Sequence, residues 1–328
     1  METLLGVIGF TIKSGIVVLS IVVVIAFLIK QTKEKVVHDG KLSVKRLSTK
    51  LLGYTKSFDE AMLSSEQFKE KWKGAKPVEK PNKLYILDFD GNVTADDVVL
   101  LREEITAILT IAKESDEVLV KVNSGGGTVD GYGLVAAQIE RLKSAGLKVT
   151  VSVDRIAASG GYMSAVVADT VIAAPFSYIG SIGVVGQIPN FYKLLNEKGI
   201  TFEQHTAGKY KRTLTSVTEA TDEDREKFKE DLERMHKLFK EHISKFRPNV
   251  DLEKVATGEV WNGTDALEVG LIDKVQVSDD FLSEKSASFE LLEVTYEPPK
   301  DPSGFIQSVV SQSISKPLSK LLESKILA

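Results

Sequence analysis

The sequence predicts an α/β protein built on a mainly parallel sheet, and three observations point there. From Leu84 onward, short β-rich apolar runs alternate with segments of helical periodicity, the pattern of right-handed crossovers between parallel strands. Glycine-rich corners follow two of those runs, in Ser124–Gly127 and in the Ser159-Gly160-Gly161 triplet. The chain of 328 residues, 43% hydrophobic and 27% charged, is long enough for one large domain or two ordinary ones. A net charge of -4 gives no basic footprint for nucleic acid. The absence of cysteine excludes a disulfide framework, a thiol nucleophile and thiolate metal sites.

Residues 1–30 read as a membrane anchor. Leu4 to Ile29 is almost uninterruptedly apolar, with Lys13 its only charge, and a bilayer core needs about 20 such residues of helix. Lys13 lies near one end, where it can snorkel to the interface. A cleaved signal peptide fits less well, because Glu2 stands where a basic cluster belongs and no small-x-small site follows. Lys30, Lys33, Lys35, Lys41, Lys45, Arg46 and Lys50 follow the span, which by the positive-inside rule places the body in the cytoplasm. Residues 31–80 read as a charged linker or stalk, weakly helical from Phe58 to Trp72 and ended by Pro77 and Pro81.

Residues 81–280 carry the alternating strands and helices. Leu84 to Asp90 is a strand. Val98, Leu101, Ile105, Ile108 and Leu109 mark one face of a helix. A strand from Val118 to Val122, the glycine turn, a helix over about Gly131–Ala145 and a strand over Lys148–Val153 come next. Beyond Ser159 lie a short helix, a strand over Thr170–Ala173, a glycine-punctuated run over Ile179–Gly186, a helix over Phe191–Lys198 and a strand around Phe202–His205. Thr221 with Asp224 reads as the cap of a long amphipathic helix ending before Pro248. Ala256 to Val275 gives a turn, a short helix and a strand. Residues 281–328 read as a C-terminal tail, with a mild helical stripe in 303–328.

Chemistry concentrates in four places. Ser159 sits between alanines and glycines after a β-type run, a pattern that reads on its own as a plain strand-to-helix turn or as a hydroxyl at a helix N-terminus, where developing negative charge is favoured. The Asn123–Gly127 stretch reads equally as a plain βα turn or as backbone amides forming an oxyanion hole; neither G-x-G-x-x-G nor a Walker lysine supports a phosphate loop. Ser181 is a hydroxyl in an apolar run, with a structural role as its default reading. Lys209, Tyr210, Lys211 and Arg212 form a basic cluster, whose default reading is a solvated face. Of the four histidines, His38, His205, His236 and His242, only His205 lies near these motifs. A lysine base is the other option. It must be neutral, and lowering its pKa from 10.4 to roughly 7–8 costs ~4 kcal/mol, which burial in an apolar site can supply.

Five stretches, NSGGGTVDGYG, VDRIAASGGYMSAVVAD, APFSYIGSIGVVGQ, HTAGKYKRTLT and ATGEVWNGTDALEVGLID, together resemble the signal peptide peptidase A family of serine–lysine membrane peptidases, and most closely its SohB branch. The resemblance implies a Clp-protease/crotonase-like fold of stacked ββα units that assembles into homo-oligomeric rings. It implies Ser159 as nucleophile, Lys211 as general base, Ser181 as the serine that orients the lysine, and the amides of Gly127 and Gly160 as the oxyanion hole. Lys209 is the neighbour to test beside Lys211. Gly125 stands where the family usually has proline. The implied activity is a serine endopeptidase of short or unfolded peptides, needing no metal or cofactor, anchored as a single-pass protein in the inner membrane. The family's catalytic domain usually lies outside the cytoplasm, opposite to the lysine-rich flank's indication. Two other classes share the fold: a crotonase-like acyl-CoA enzyme and a silent membrane scaffold.

Overall fold

The computed structural model describes residues 40–74 and 80–299. One compact unit, Leu42–Tyr296, carries the sheet; the other, Met1–Lys41 with Glu297–Ala328, lies almost wholly outside the described residues. The expected anchor over residues 1–30 also falls outside them. Among the described residues no helix is long and apolar enough to cross a membrane.

The elements in chain order are β1 (Lys41–Arg46), α1 (Leu47–Met62), α2 (Ser65–Trp72), β2 (Asn82–Gly91), α3 (Val98–Leu109), β3 (Glu117–Ser124), α4 (Val129–Ser144) and β4 (Lys148–Val153). Then follow β5 (Ile156–Ala158), α5 (Gly160–Ala165), β6 (Thr170–Ala173), β7 (Tyr178–Gly180), α6 (Tyr192–Glu197) and α7 (Asp222–Phe246). The last are α8 (Leu252–Val255), β8 (Val260–Asn262), α9 (Gly263–Glu268), β9 (Lys274–Val275), α10 (Ser278–Lys285) and β10 (Phe289–Glu297).

The main sheet runs β1-β10-β2-β3-β4-β6-β9. Its central pairs are parallel, with Leu87 beside Val120 and Val120 beside Val151. Strand periodicity splits β2 between two cores. Tyr85, Leu87 and Phe89 enter the larger one, under α3, α4 and α5; Leu84 and Ile86 enter the smaller one, which Phe281 and Leu282 of α10 cover. Such two-sided burial gives parallel strands their near-continuous apolar runs. A branch then leaves the main path: β5 pairs with the end of β3 and with β7, and β7 pairs antiparallel with β8. That branch builds the site.

Several regions differ from the sequence expectation. Within 31–80, expected as a charged linker or stalk, Lys41–Arg46 forms β1 and pairs with β10 at the edge of the main sheet. Residues 281–297, expected as the start of a tail, complete α10 and form β10, which aligns Leu291 with Leu84. At its end the Tyr296 amide donates to the buried Glu104 carboxylate at 2.8 Å. The strand expected at Phe202–His205 is irregular and exposed, because no neighbouring strand supplies the ladder that would hold it. The long helix α7 matches its expectation. Thr221 Oγ1 accepts from the Asp224 amide, the Asp224 carboxylate accepts from the Thr221 amide, and three acidic residues fill the first turn.

Candidate active site

The parallel register of β5 and β7 places Ala158 beside Gly180. The residues that follow, Ser159 and Ser181, therefore emerge side by side. The Ser159 amide donates to the Gly180 carbonyl at 2.7 Å, and the Ser181 amide to that of Glu259 at 2.7 Å. Ser159 has φ 51 and ψ -119, and Ser181 has φ 50. Among the described residues only Ala95 is a further non-glycine with positive φ. Such geometry costs on the order of 1–3 kcal/mol per residue and persists where surrounding structure enforces it. Here it turns the Ser159 side chain out of the sheet as the chain enters α5, whose first helical bond runs from the Met163 amide to the Ser159 carbonyl at 2.9 Å.

The glycine turn after β3 closes against this corner. Gly126 has φ +90, and a Cβ on it would lie 2.6 Å from the Gly160 nitrogen and 2.8 Å from Ser159 Cβ. Only glycine allows both the backbone angle and the approach. A Cβ on Gly127 would overlap the Val93 carbonyl, and one on Gly160 would overlap the Tyr132 ring. Among the described residues neither the Gly127 nor the Gly160 amide donates a hydrogen bond to the protein. Both line a cleft of about 740 Å³ together with Ser159 and Ser181. Val129, Met163, Val185, Met235 and Phe239 supply apolar wall. Free amides beside a hydroxyl forced outward can receive a carbonyl oxygen while that hydroxyl attacks its carbon.

The structure thus brings four of the five expected residues, Ser159, Ser181, Gly127 and Gly160, into one cleft. Lys211 is elsewhere: it is exposed in the irregular stretch between α6 and α7 and is not part of the cleft lining. Its neighbour Lys209 pairs with Glu223 at 2.6 Å, and the hydrogen bond to that carboxylate raises the Lys209 pKa, the wrong direction for a base. None of the described histidines lines the cleft. His205 is exposed beside Glu203. The His242 ring nitrogen Nε2 bonds the Met163 carbonyl at 2.9 Å, and burial pushes the pKa of this ring down.

Two side chains of the site had no role in the sequence reading, those of Tyr132 and of Ser124 in the glycine turn. Tyr132, fully buried, donates from its hydroxyl to the Asn92 carbonyl at 2.6 Å and touches Ser124 Oγ. With the Tyr132 proton on the Asn92 carbonyl, Ser124 Oγ gives its one proton to the Tyr132 oxygen, lies 2.9 Å from the Gly91 carbonyl and accepts from the Gly126 amide at 3.0 Å. Burial raises the Tyr132 pKa, so the phenol keeps its proton.

The profile of peptidase family S49 matches residues 141–291, and that of the family's N-terminal region matches residues 2–139. A probable protease SohB from Haemophilus influenzae is 40% identical over 307 residues, 88% of this chain and 87% of that protein. A probable protease SohB from Buchnera aphidicola of Schlechtendalia chinensis is 58% identical over 199 residues, 61% of this chain and 65% of its own length. The chain thus spans just under two thirds of that second relative.

Proposed function

We propose, because the chain belongs to peptidase family S49 and to its SohB branch, that it is a serine endopeptidase with a serine–lysine dyad. The observation that carries the reading is Ser159 itself: a strained, outward-turned hydroxyl beside two amides with no protein acceptor. In this reading neutral Lys211 takes the proton of Ser159 Oγ, and Oγ bonds to a peptide carbonyl carbon. The carbonyl oxygen gains negative charge and is held by the Gly127 and Gly160 amides. The C–N bond breaks as Lys211 returns the proton to the leaving amine. A water, deprotonated by Lys211, then releases the acyl group and restores Ser159. Ser181, at the adjacent strand end, orients the lysine.

A lysine base needs hydrogen-bond reach to its serine and an environment that disfavours charge. The stretch carrying Lys211 is exposed in the single chain. Catalysis is therefore assigned to an assembled homo-oligomeric ring of Clp-protease/crotonase-like protomers, in which that stretch is covered. Short or unfolded, signal-peptide-like peptides are the substrates that such an assembly admits, and the apolar wall of the cleft favours apolar side chains beside the cut. Residues 1–30 anchor the enzyme in the inner membrane as a single span. The test uses the full chain in detergent micelles with a quenched fluorescent peptide library and a fluorophosphonate probe. Ser159→Ala is expected to abolish cleavage and labelling, and Lys211→Ala to abolish cleavage. Full cleavage by either variant sinks the dyad.

A further inference from the structure

Resting on that reading of the site, we propose that the Tyr132 hydroxyl is a positioning group that, through Ser124, holds the two oxyanion-binding amides in register. Burial of the ring does not require the hydroxyl: the ring meets Phe89 edge-on, with centroids 6.3 Å apart, as a phenylalanine would. The oxygen instead ties together the segments that carry the donors. It donates to the Asn92 carbonyl at 2.6 Å, and the next carbonyl, of Val93, packs against Gly127 and accepts from the Thr128 amide at 2.8 Å. It also accepts from Ser124 Oγ, which in turn accepts from the Gly126 amide, one residue before the first donor. The second donor, Gly160, lies directly on the Tyr132 ring.

Both amides therefore rest on one side chain, in a pocket where Tyr132 is 0% and Ser124 2% exposed. Water does not replace a missing partner in such a place, so a deleted hydroxyl leaves the Asn92 carbonyl to find a new donor by moving, while the Ser124 proton swings to the Gly91 carbonyl and draws Oγ with it. The movement falls on residues 92–93 and 124–127. It changes the spacing of the Gly127 and Gly160 amides without touching the cleft's apolar walls. A donor displaced but still present costs less than a donor removed, which is worth about 10²–10³ in rate. The expected loss is about 10–100-fold in kcat, with KM within about twofold, because the oxyanion exists only beyond the ground state.

The test compares wild type, Tyr132→Phe and Ser124→Ala as full chains in micelles, at a temperature where circular dichroism shows each folded. Peptide cleavage gives kcat and KM. Binding of a peptide aldehyde, whose hemiacetal with Ser159 puts an oxygen in the oxyanion position, is measured against the matched peptide amide. Support is a kcat loss of at least tenfold with KM held, and a parallel loss of aldehyde affinity without loss of amide affinity. A hydroxyl serving only the fold would lower the melting temperature and leave both ratios unmoved, and that result overturns the proposal. Should Tyr132→Phe fail to fold, Ser124→Ala, which breaks the same bridge, decides alone. A Ser159→Ala chain that still cleaves would overturn the underlying site reading, a failure distinct from unmoved ratios in an enzyme that depends on Ser159.

Discussion

Ser159 and Ser181 occupy equivalent places at the ends of two paired parallel strands, joined by the hydrogen bond from the Ser159 amide to the Gly180 carbonyl at 2.7 Å. Both have positive φ, 51 and 50. Two β-carbon-bearing residues are thus held in a backbone region that favours glycine, at the two positions where the proposed chemistry needs hydroxyls.

That strain makes a stability prediction at Ser159 separable from activity. Ser159→Ala keeps the Cβ at φ 51 and should melt close to wild type. Ser159→Gly relieves the Cβ conflict and should be more stable than Ser159→Ala by about 1 kcal/mol. Both should lack cleavage. Thermal melts of the two variants in the same detergent check the order, and a glycine variant less stable than the alanine one would show that the corner is unstrained.

The glycine turn yields a contrast between adjacent positions. A Cβ on Gly125 meets only Ile156 Cδ1, at 3.8 Å, an ordinary contact. Gly125→Ala should fold, cleave at wild-type rate within a few fold, and gain up to about 1 kcal/mol from a less flexible unfolded chain. Gly126→Ala forces a Cβ into the Gly160 nitrogen and Ser159 Cβ at φ +90. It should lose at least about 100-fold in kcat/KM through displaced donors and lower the melting temperature. Kinetics on the pair tell the two apart.

The parts of this site that were legible in the sequence are those fixed by neighbours along the chain. Ser159 announces itself because small residues crowd it on both sides, and Gly125–Gly127 because three glycines follow a β run. The capping box of α7 is likewise local. What escaped was decided by distant partners. Phe289–Glu297 became a strand because β2 offers it a parallel ladder with Leu291 beside Leu84, and nothing within the segment names that partner. Nothing local marks Tyr132 at the start of its helix; only the fold brings its hydroxyl to Asn92 and Ser124. Phe202–His205 has the composition of a strand, but pairing rather than composition makes one, and the single chain gives it no neighbour.

The two lysines of the basic cluster should separate cleanly. Lys209 forms its ion pair with Glu223 between side chains that are 66% and 65% exposed, a setting in which such pairs contribute little. Lys209→Ala should therefore leave cleavage within a few fold of wild type and the melting temperature nearly unchanged. Lys211→Ala should abolish turnover. Lys211→Arg should be equally inactive, because a guanidinium does not give up its proton in proteins. Cleavage surviving in Lys211→Arg but lost in Lys209→Ala would exchange the two roles.

Glu104 gives the fold a pH dependence of stated sign. It is buried on α3, and burial raises its pKa from 4.5 to about 7, against the opposing hydrogen bond from the Tyr296 amide and reinforced by Asp88 and Asp97. Below about pH 4.5 the group is protonated in folded and unfolded chains alike. Between there and about pH 7 the unfolded chain has ionised while the folded one keeps its proton, so folding stability falls as pH rises. The full drop is roughly 3 kcal/mol, complete above pH 7. Glu104→Gln retains an oxygen to accept from the Tyr296 amide and removes the titration. At pH 8 it should melt higher than wild type, and the gap should close as pH is lowered to 4.5. A constant gap across that range would mean that Glu104 ionises in the folded chain as readily as in water.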